Sequence, residues 1–376
     1  MKSIPTSLPR AAMIALCLAS AMMLAACNRR GGRVQEVAYV SAVQAILRDH
    51  VAPVFEKTGV VKNGDRVEVL DHDRRFVKVR TATGATGWVE QRYLVSQQVY
   101  DQMQKLAVDN QNDAVQGQGT TRNDTNLHVE PGRDTEHLYQ ISSGEKLSLL
   151  KRATAEKPGA VAVPSRASRS NAAIYKTQEK KSSTAPISEA PAQEKPAEEK
   201  SVPVLEDWWL VRDSNRRVGW VLGRMIDLDV PLDIAQYAEG QRIVAFFVLD
   251  QVQDGDKKVA QYLTVVTEPK DGLPFDFDQI RVFTWNVKRH RYETAYRERI
   301  EGVLPVTVSQ ESFDKEGVLP VFTLRVRDEQ GNVSERKYKL NTPIVRRVLA
   351  PGEEPVHASP KRAVDRSVRK TVRRRH

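Results

Sequence analysis

Seven histidines, two cysteines and a scatter of carboxylates are the side chains of this 376-residue chain with the chemistry to serve as ligands, nucleophiles or acids. The histidines are His50, His72, His128, His137, His290, His357 and His376. No two have the spacing that brings ligands to one helix face or across one hairpin, so no metal site is expected. A solvated surface position is expected for each. His290 stands in the basic turn Lys288-Arg289-His290-Arg291, and His376 ends a basic tail. Asp276 and Asp278 flank Phe277 and could pair as two acids, but they lie in a Pro-containing stretch that reads as solvated surface. The chain has no Gly-x-Ser-x-Gly elbow and no Gly-rich phosphate loop. No catalytic, cofactor-binding or metal-binding residue is therefore expected, and the chain reads as a non-enzyme without cofactor.

The cysteines point elsewhere. Cys17 lies inside the apolar run Ala11 to Leu24, which follows a start charged by Lys2 and Arg10. Small residues Ala25 and Ala26 come next, directly before Cys27. That layout reads as a removable secretory leader over residues 1–26. The apolar run is shorter than the about 20 residues a bilayer span needs. After removal Cys27 has no thiol partner, which excludes a disulfide and paired-cysteine zinc sites. The stretch Leu24-Ala25-Ala26-Cys27 resembles the lipobox of bacterial lipoproteins. The resemblance implies cleavage before Cys27 and acylation at that residue. It also implies two or three lipid chains, enough for stable anchoring where one chain binds marginally. Asn28, where an Asp would favour the inner membrane in that family, leans toward the outer membrane. The expected location is thus the periplasm-facing envelope of a bacterium, behind a short tether over 27–36.

Charge is concentrated rather than spread. The formal net charge is +10. Two of those charges leave with Lys2 and Arg10. Within the tail over 349–376, the stretch from Val356 on holds Lys361, Arg362, Arg366, Arg369, Lys370, Arg373, Arg374 and Arg375 against Asp365 alone. What remains is close to neutral, with no broad basic face for a phosphate backbone, so nucleic acid is not an expected partner. The tail is read either as an arm for anionic headgroups or envelope polymers, or as a solvated, disordered end.

These residues must be held by β structure. Val67 to Leu70 and Phe76 to Arg80 are β-branched runs, with Gly64-Asp65 and Gly84 as turn signals. Gly87-Trp88-Val89 opens a last strand that closes at Tyr93-Leu94. Residues 37–95 are read as one small unit. Over 96–125 a short helix, with Val99, Met103 and Leu106 on one face, is expected to lead into a polar linker.

A second unit over 126–230 repeats the first. Gly64 to Leu70 matches Gly144 to Leu150, and the stretch from Phe76 to Leu94 matches Trp208 to Ile226 without a gap. Between the matched halves, 153–204 is rich in Pro, Ala, Lys and Glu, and is expected to be a disordered loop inserted into a hairpin.

Both units resemble bacterial SH3-like domains. The carrying residues are Leu47-Arg48, Gly64 to Val69, Phe76 to Arg80 and Gly87 through Leu94. In the second copy they are Leu127, Gly144 to Leu150, Trp208 to Arg212 and Gly219-Trp220-Val221. Met225-Ile226 replaces the usual aromatic-Leu ending there. The resemblance implies five-stranded barrels that bind peptides or cell-wall components without catalysis. Phe76, Trp88 and Tyr93, with Trp208 and Trp220 in the second copy, are then the ligand-binding candidates. The glycine-flanked Trp88 and Trp220 read first as core residues that close each barrel, and as ligand contacts second. In the pair Trp208-Trp209, alternation sends one ring in and one out.

Residues 237–348 alternate apolar and polar side chains over several short runs, among them Ile280 to Val287, Tyr292 to Arg299 and Leu304 to Val308. A β-sandwich or barrel is expected. The fold class is therefore all-β. The function this implies is non-catalytic binding of peptidoglycan, wall peptides or envelope proteins from a membrane anchor. A scaffold lipoprotein working through protein contacts is the alternative. A wall hydrolase would need a catalytic domain, and only 237–348 could supply one.

Overall fold

From Arg66 to Thr81, branched aliphatic residues alternate with charged ones, the pattern of a sheet with one dry face. In a computed structural model, which describes residues 34–162 and 202–349, that stretch is a paired hairpin. The leader, Cys27, most of the tether, residues 163–201 and the basic tail lie outside the described residues.

The hairpin belongs to a seven-stranded antiparallel sheet. Its strands are β1 (Glu36–Val40), β2 (Gln44–Arg48), β3 (Lys57–Lys62), β4 (Arg66–Asp73), β5 (Phe76–Thr81), β6 (Thr86–Glu90) and β7 (Leu94–Ser96). They lie in the order β3-β2-β6-β5-β4-β1-β7. The inward positions Val40, Leu47, Val61, Val67, Val69, Val79 and Val89 form the core.

Helix α1 (Gln97–Asp109) follows. Val99 and Met103 on its inner face are buried. They join a core with Tyr39 of β1 and Leu127, Leu138 and Leu147 from the next sheet. The strands of that sheet are β8 (Gly117–Thr121), β9 (Thr125–His128), β10 (His137–Ile141), β11 (Lys146–Ala162), β12 (Val202–Arg212), β13 (Val218–Leu222) and β14 (Ile226–Leu228). Their order, β10-β9-β13-β12-β11-β8-β14, is that of the first sheet, strand for strand. The registers agree as well. Val69 faces Val79 before a bulge, and Leu149 faces Val211 before a bulge. Arg48 faces Trp88, and His128 faces Trp220.

Three sequence expectations change here. The stretch read as a polar linker contains β8, so the second sheet begins at Gly117 rather than near Asn126. Part of the expected loop is strand: β11 runs to Ala162 and β12 starts at Val202, paired from Ala153↔Trp208 outward. Each of these two sheets has seven strands where five were expected.

After α2 (Leu232–Ala235) comes a third antiparallel sheet. It is a meander of β15 (Arg242–Asp254), β16 (Lys257–Thr267), β17 (Phe277–Asn286), β18 (Arg291–Phe313), β19 (Gly317–Arg327), β20 (Val333–Asn341) and β21 (Ile344–Val348) in sequence order. The expected short strands at Tyr292 to Arg299 and Leu304 to Val308 are one long strand, β18. Its first half pairs with β17 and its second with β19, with an irregular register between Val303 and Thr307. The described residues divide into two compact units, those up to 246 with 266–276, and 247–265 with those from 277 on. Among the described residues no helix is long and apolar enough to cross a membrane.

Candidate functional site

Strand alternation decides what the first sheet shows to solvent. Ala45, Leu47, Val77, Val79 and Val89 point inward, which leaves Arg48, Phe76, Lys78, Trp88 and Glu90 on the other face. The glycine before Trp88 sets this geometry. A Cβ on Gly87 would lie 2.8 Å from Leu47 Cβ and 3.0 Å from Arg48 O. Only glycine lets β6 close onto β2 and bring Trp88 opposite Arg48. In the second sheet, a Cβ on Gly219 would lie 2.7 Å from Leu127 Cβ and 3.2 Å from His128 O.

Phe76 is opposite Glu90 and is only 5% exposed. Cations cover it: the guanidinium carbons of Arg48 and Arg75 lie 5.1 and 5.5 Å from its ring centroid. Arg48 also lies 4.1 Å over Phe55. Such contacts attract through the ring quadrupole. Glu90 ties the cations together, with Arg48 at 3.8 Å and Arg92 Nε at 2.8 Å. Arg92 donates to the Tyr93 hydroxyl at 2.9 Å, and that bond, with Glu90 beside it, raises the guanidinium pKa further. Lys78 Nζ is 5.9 Å from the half-buried Trp88 ring. Tyr93 itself packs on the edge of the core. The result is a face of rings overlaid by cations, with one carboxylate among them. Such a surface can take extended chains that carry carboxylates. The sequence reading named Phe76, Trp88 and Tyr93 but missed Phe55 and the cations. The signal was there, because Arg48, Lys78 and Glu90 alternate with the core residues.

Trp208 and Trp220 occupy the equivalent places on the second sheet, with different surroundings. Trp208 is 3% exposed, and His128 meets it edge-on at 5.3 Å. Trp220 packs on a small cluster of Leu150, Leu210 and Val218, joined there by Leu106 and Ala107 of α1. The helix occupies the face that is open in the first sheet. Of the Trp208-Trp209 pair, Trp208 is buried and Trp209 is half-buried.

His128 corrects the expectation of solvated histidines. It pairs across the β9–β10 hairpin with His137, the rings 5.2 Å apart. Burial, and then the charge of His137, hold its pKa below the usual range. Among the described residues no group of three or more side chains is placed to hold a metal. His290 is exposed at a hairpin tip, where it meets Asp254 at 2.7 Å. Asp276 is not solvated surface either, because it binds the buried Arg152 at 2.9 Å. Asp278 lies within β17.

Comparison with known proteins agrees with the first sheet's assignment. The bacterial SH3 domain family matches residues 45–95. No curated protein matches the chain. Solved structures that align with it include NlpC2 from Trichomonas vaginalis, at 8% identity and a TM-score of 0.16 over 80% of this chain and 96% of that one. An NlpC/P60 family protein from Bacillus cereus ATCC 10987 aligns at 10% identity and a TM-score of 0.21, over 82% and 95%. NlpC1 from Trichomonas vaginalis aligns at 9% and 0.16, over 81% and 92%. Superposition at these scores is too poor to establish a shared fold. The class shown is an all-β protein that contains a bacterial SH3 domain.

Proposed function

We propose that this protein is a non-catalytic, lipid-anchored lipoprotein of the bacterial envelope whose SH3-like domains hold cell-wall peptides near the membrane. The observation that carries the reading is the ring-and-cation face of the matched bacterial SH3 domain. Wall peptides are extended and carry carboxylates, which that face complements. Phe55, Trp88 and Lys78 are its accessible members, and Phe76 is its base. The second sheet is read as a second SH3-like copy, supported by its identical strand order and register. Acylated Cys27 would supply the anchor, with the outer membrane favoured, and the basic tail would add contacts to anionic envelope polymers.

Scaffolding through protein contacts is the second reading. It is favoured by one observation, that α1 covers the corresponding face of the second sheet.

Sedimentation with purified peptidoglycan sacculi tests the proposal. The unaltered protein should pellet with the sacculi. Trp88→Ala should weaken that binding at least about tenfold, as loss of an aromatic anchor does, while the circular dichroism spectrum is kept. Protein that stays in the supernatant would remove the wall-ligand reading. Stoichiometric envelope proteins in a pull-down from detergent-solubilised membranes would then support the scaffold.

A further inference from the structure

The first compact unit also contains a cavity of about 320 Å³ that has no part in the ring-and-cation face. That volume is near the lower end, about 300 Å³, of pockets that take small ligands. Its apolar wall includes Leu149, Trp209, Ile226 and Leu228. Its ionic lining is four arginines and three aspartates, and their pairing is uneven.

Asp207 fixes the floor. It accepts from Arg152 Nη2 at 2.6 Å, Arg242 Nη2 at 2.8 Å and the Gly272 amide at 2.9 Å. Arg152 is further held by Asp276, and Arg242 by Asp271. Arg122 donates to Asp227 through both Nε and Nη2. Arg224 is the exception. Among the described residues it makes no hydrogen bond or ion pair, and Glu206, which feels its charge, is held by both nitrogens of the Arg133 fork. One lining cation is thus left over, in a cleft whose other charges are matched.

The backbone supplies a second observation. Ile226, Asp227 and Leu228 are strand β14, which ends the sheet order. An edge strand presents backbone N–H and C=O groups to any extended chain alongside it. A dianion would be repelled by Asp227 and Asp271, whereas one carboxylate matches the one spare guanidinium.

We infer that this cavity binds the C-terminal end of a short extended peptide. Its carboxylate is held by Arg224, its backbone lies along β14 and a small apolar side chain rests against Trp209. The inference does not depend on wall binding by the first sheet.

The probe is N-acetyl-Ala-Ala, in its L,L and D,D forms, titrated against the full chain by calorimetry and compared with the C-terminal amide. The free acid should bind saturably and the amide at least about tenfold more weakly. Arg224 is exposed, so Arg224→Gln should fold; it should weaken the acid by a similar factor and leave the amide unchanged. Preference for the D,D form assigns the ligand to wall peptides, and preference for the L,L form to protein C-termini. Trp88→Ala should not alter this binding. Equal affinity for acid and amide, unchanged affinity in Arg224→Gln, or no saturation by either stereoisomer at about 10 mM, weaker than any specific pocket contact would give, overturns the inference.

Discussion

Arg48 places its guanidinium carbon 5.1 Å from the Phe76 ring centroid, and this contact, with Arg75 at 5.5 Å, covers an outward-facing phenylalanine that is buried. His128 does the same for Trp208, edge-on at 5.3 Å. In both sheets the large ring of the hairpin is therefore structural first, and the tryptophan two positions before its partner on the next strand is the more accessible ring. Phe76→Ala should destabilise the first sheet by about 3 kcal/mol or more, as truncation of a buried phenylalanine does. Trp88→Ala should cost about 1 kcal/mol, nearer to a surface change. Urea unfolding of both variants measures the difference, and equal costs would reverse the roles given to the two rings.

Gly87 and Gly219 make a matched pair of tests. Alanine at either position would force a Cβ against Leu47 or Leu127, so each variant should lose about 1–3 kcal/mol, the range for overpacked cores. Gly84 is the control. Its φ is +87° with nothing within 4 Å of a Cβ, so Gly84→Ala should lose only the about 1–2 kcal/mol of a left-handed backbone. Thermal unfolding ranks the three.

The contrast explains what could be read in advance. Gly87-Trp88-Val89 and its counterpart were legible because close strand approach demands glycine at one position and strand pairing fixes the next two. The same physics hid β8. Gly117-Gln118-Gly119 resembles a linker, yet a Cβ on Gly119 would lie 2.7 Å from Ile226 Cγ2, so β14 fills the room that the missing side chain leaves. Ala153 to Ala162 looked disordered by composition because its strand gains its partner from the far side of the insertion, where Trp208 and Leu205 supply the apolar surface. Tyr292 to Arg299 and Leu304 to Val308 read as separate short strands, but β18 runs through both and through Gly302 between them. The cations on Phe76 and the ionic floor at Asp207 could not be read, because they depend on residues far apart in sequence that only the folded chain brings together.

His128 gives a pH prediction. Burial beside Trp208, and the neighbouring His137, hold its folded pKa below the ordinary value of 6.5. Between those two values the unfolded chain binds more protons than the folded one, so stability increases with pH. The stabilising difference is complete above about 6.5 and is lost as pH falls through the lower, folded value. Melting temperatures from pH 7.5 down to pH 5 should fall more steeply for the unaltered protein than for His128→Gln. Parallel curves would mean that the ring is solvated.

Tyr338 carries the opposite sign at the other end of the scale. Its ring stacks on Phe322 at 5.1 Å, and its hydroxyl donates to Glu298 Oε2 at 2.8 Å, which also accepts from Tyr296 at 2.8 Å. Burial first, and then the Glu298 charge, push the Tyr338 phenol up to about 12. The Tyr296 phenol is raised too, by burial and then by its bond to Glu298. A raised folded pKa means that the contribution to stability is whole below the unfolded value of about 10 and is lost as pH rises through the folded one. Alkaline titration followed by phenolate absorbance should therefore show two tyrosines that ionise late, together with unfolding. Glu298→Gln removes the negative charge but keeps an acceptor, so both phenols should ionise earlier. Tyr338→Phe should abolish one late step and cost about 1.5–3 kcal/mol near neutral pH, the value of a hydrogen bond to a charged acceptor. If Glu298→Gln leaves the late steps where they were, burial alone sets these phenols, and the carboxylate between them plays no part in holding their protons.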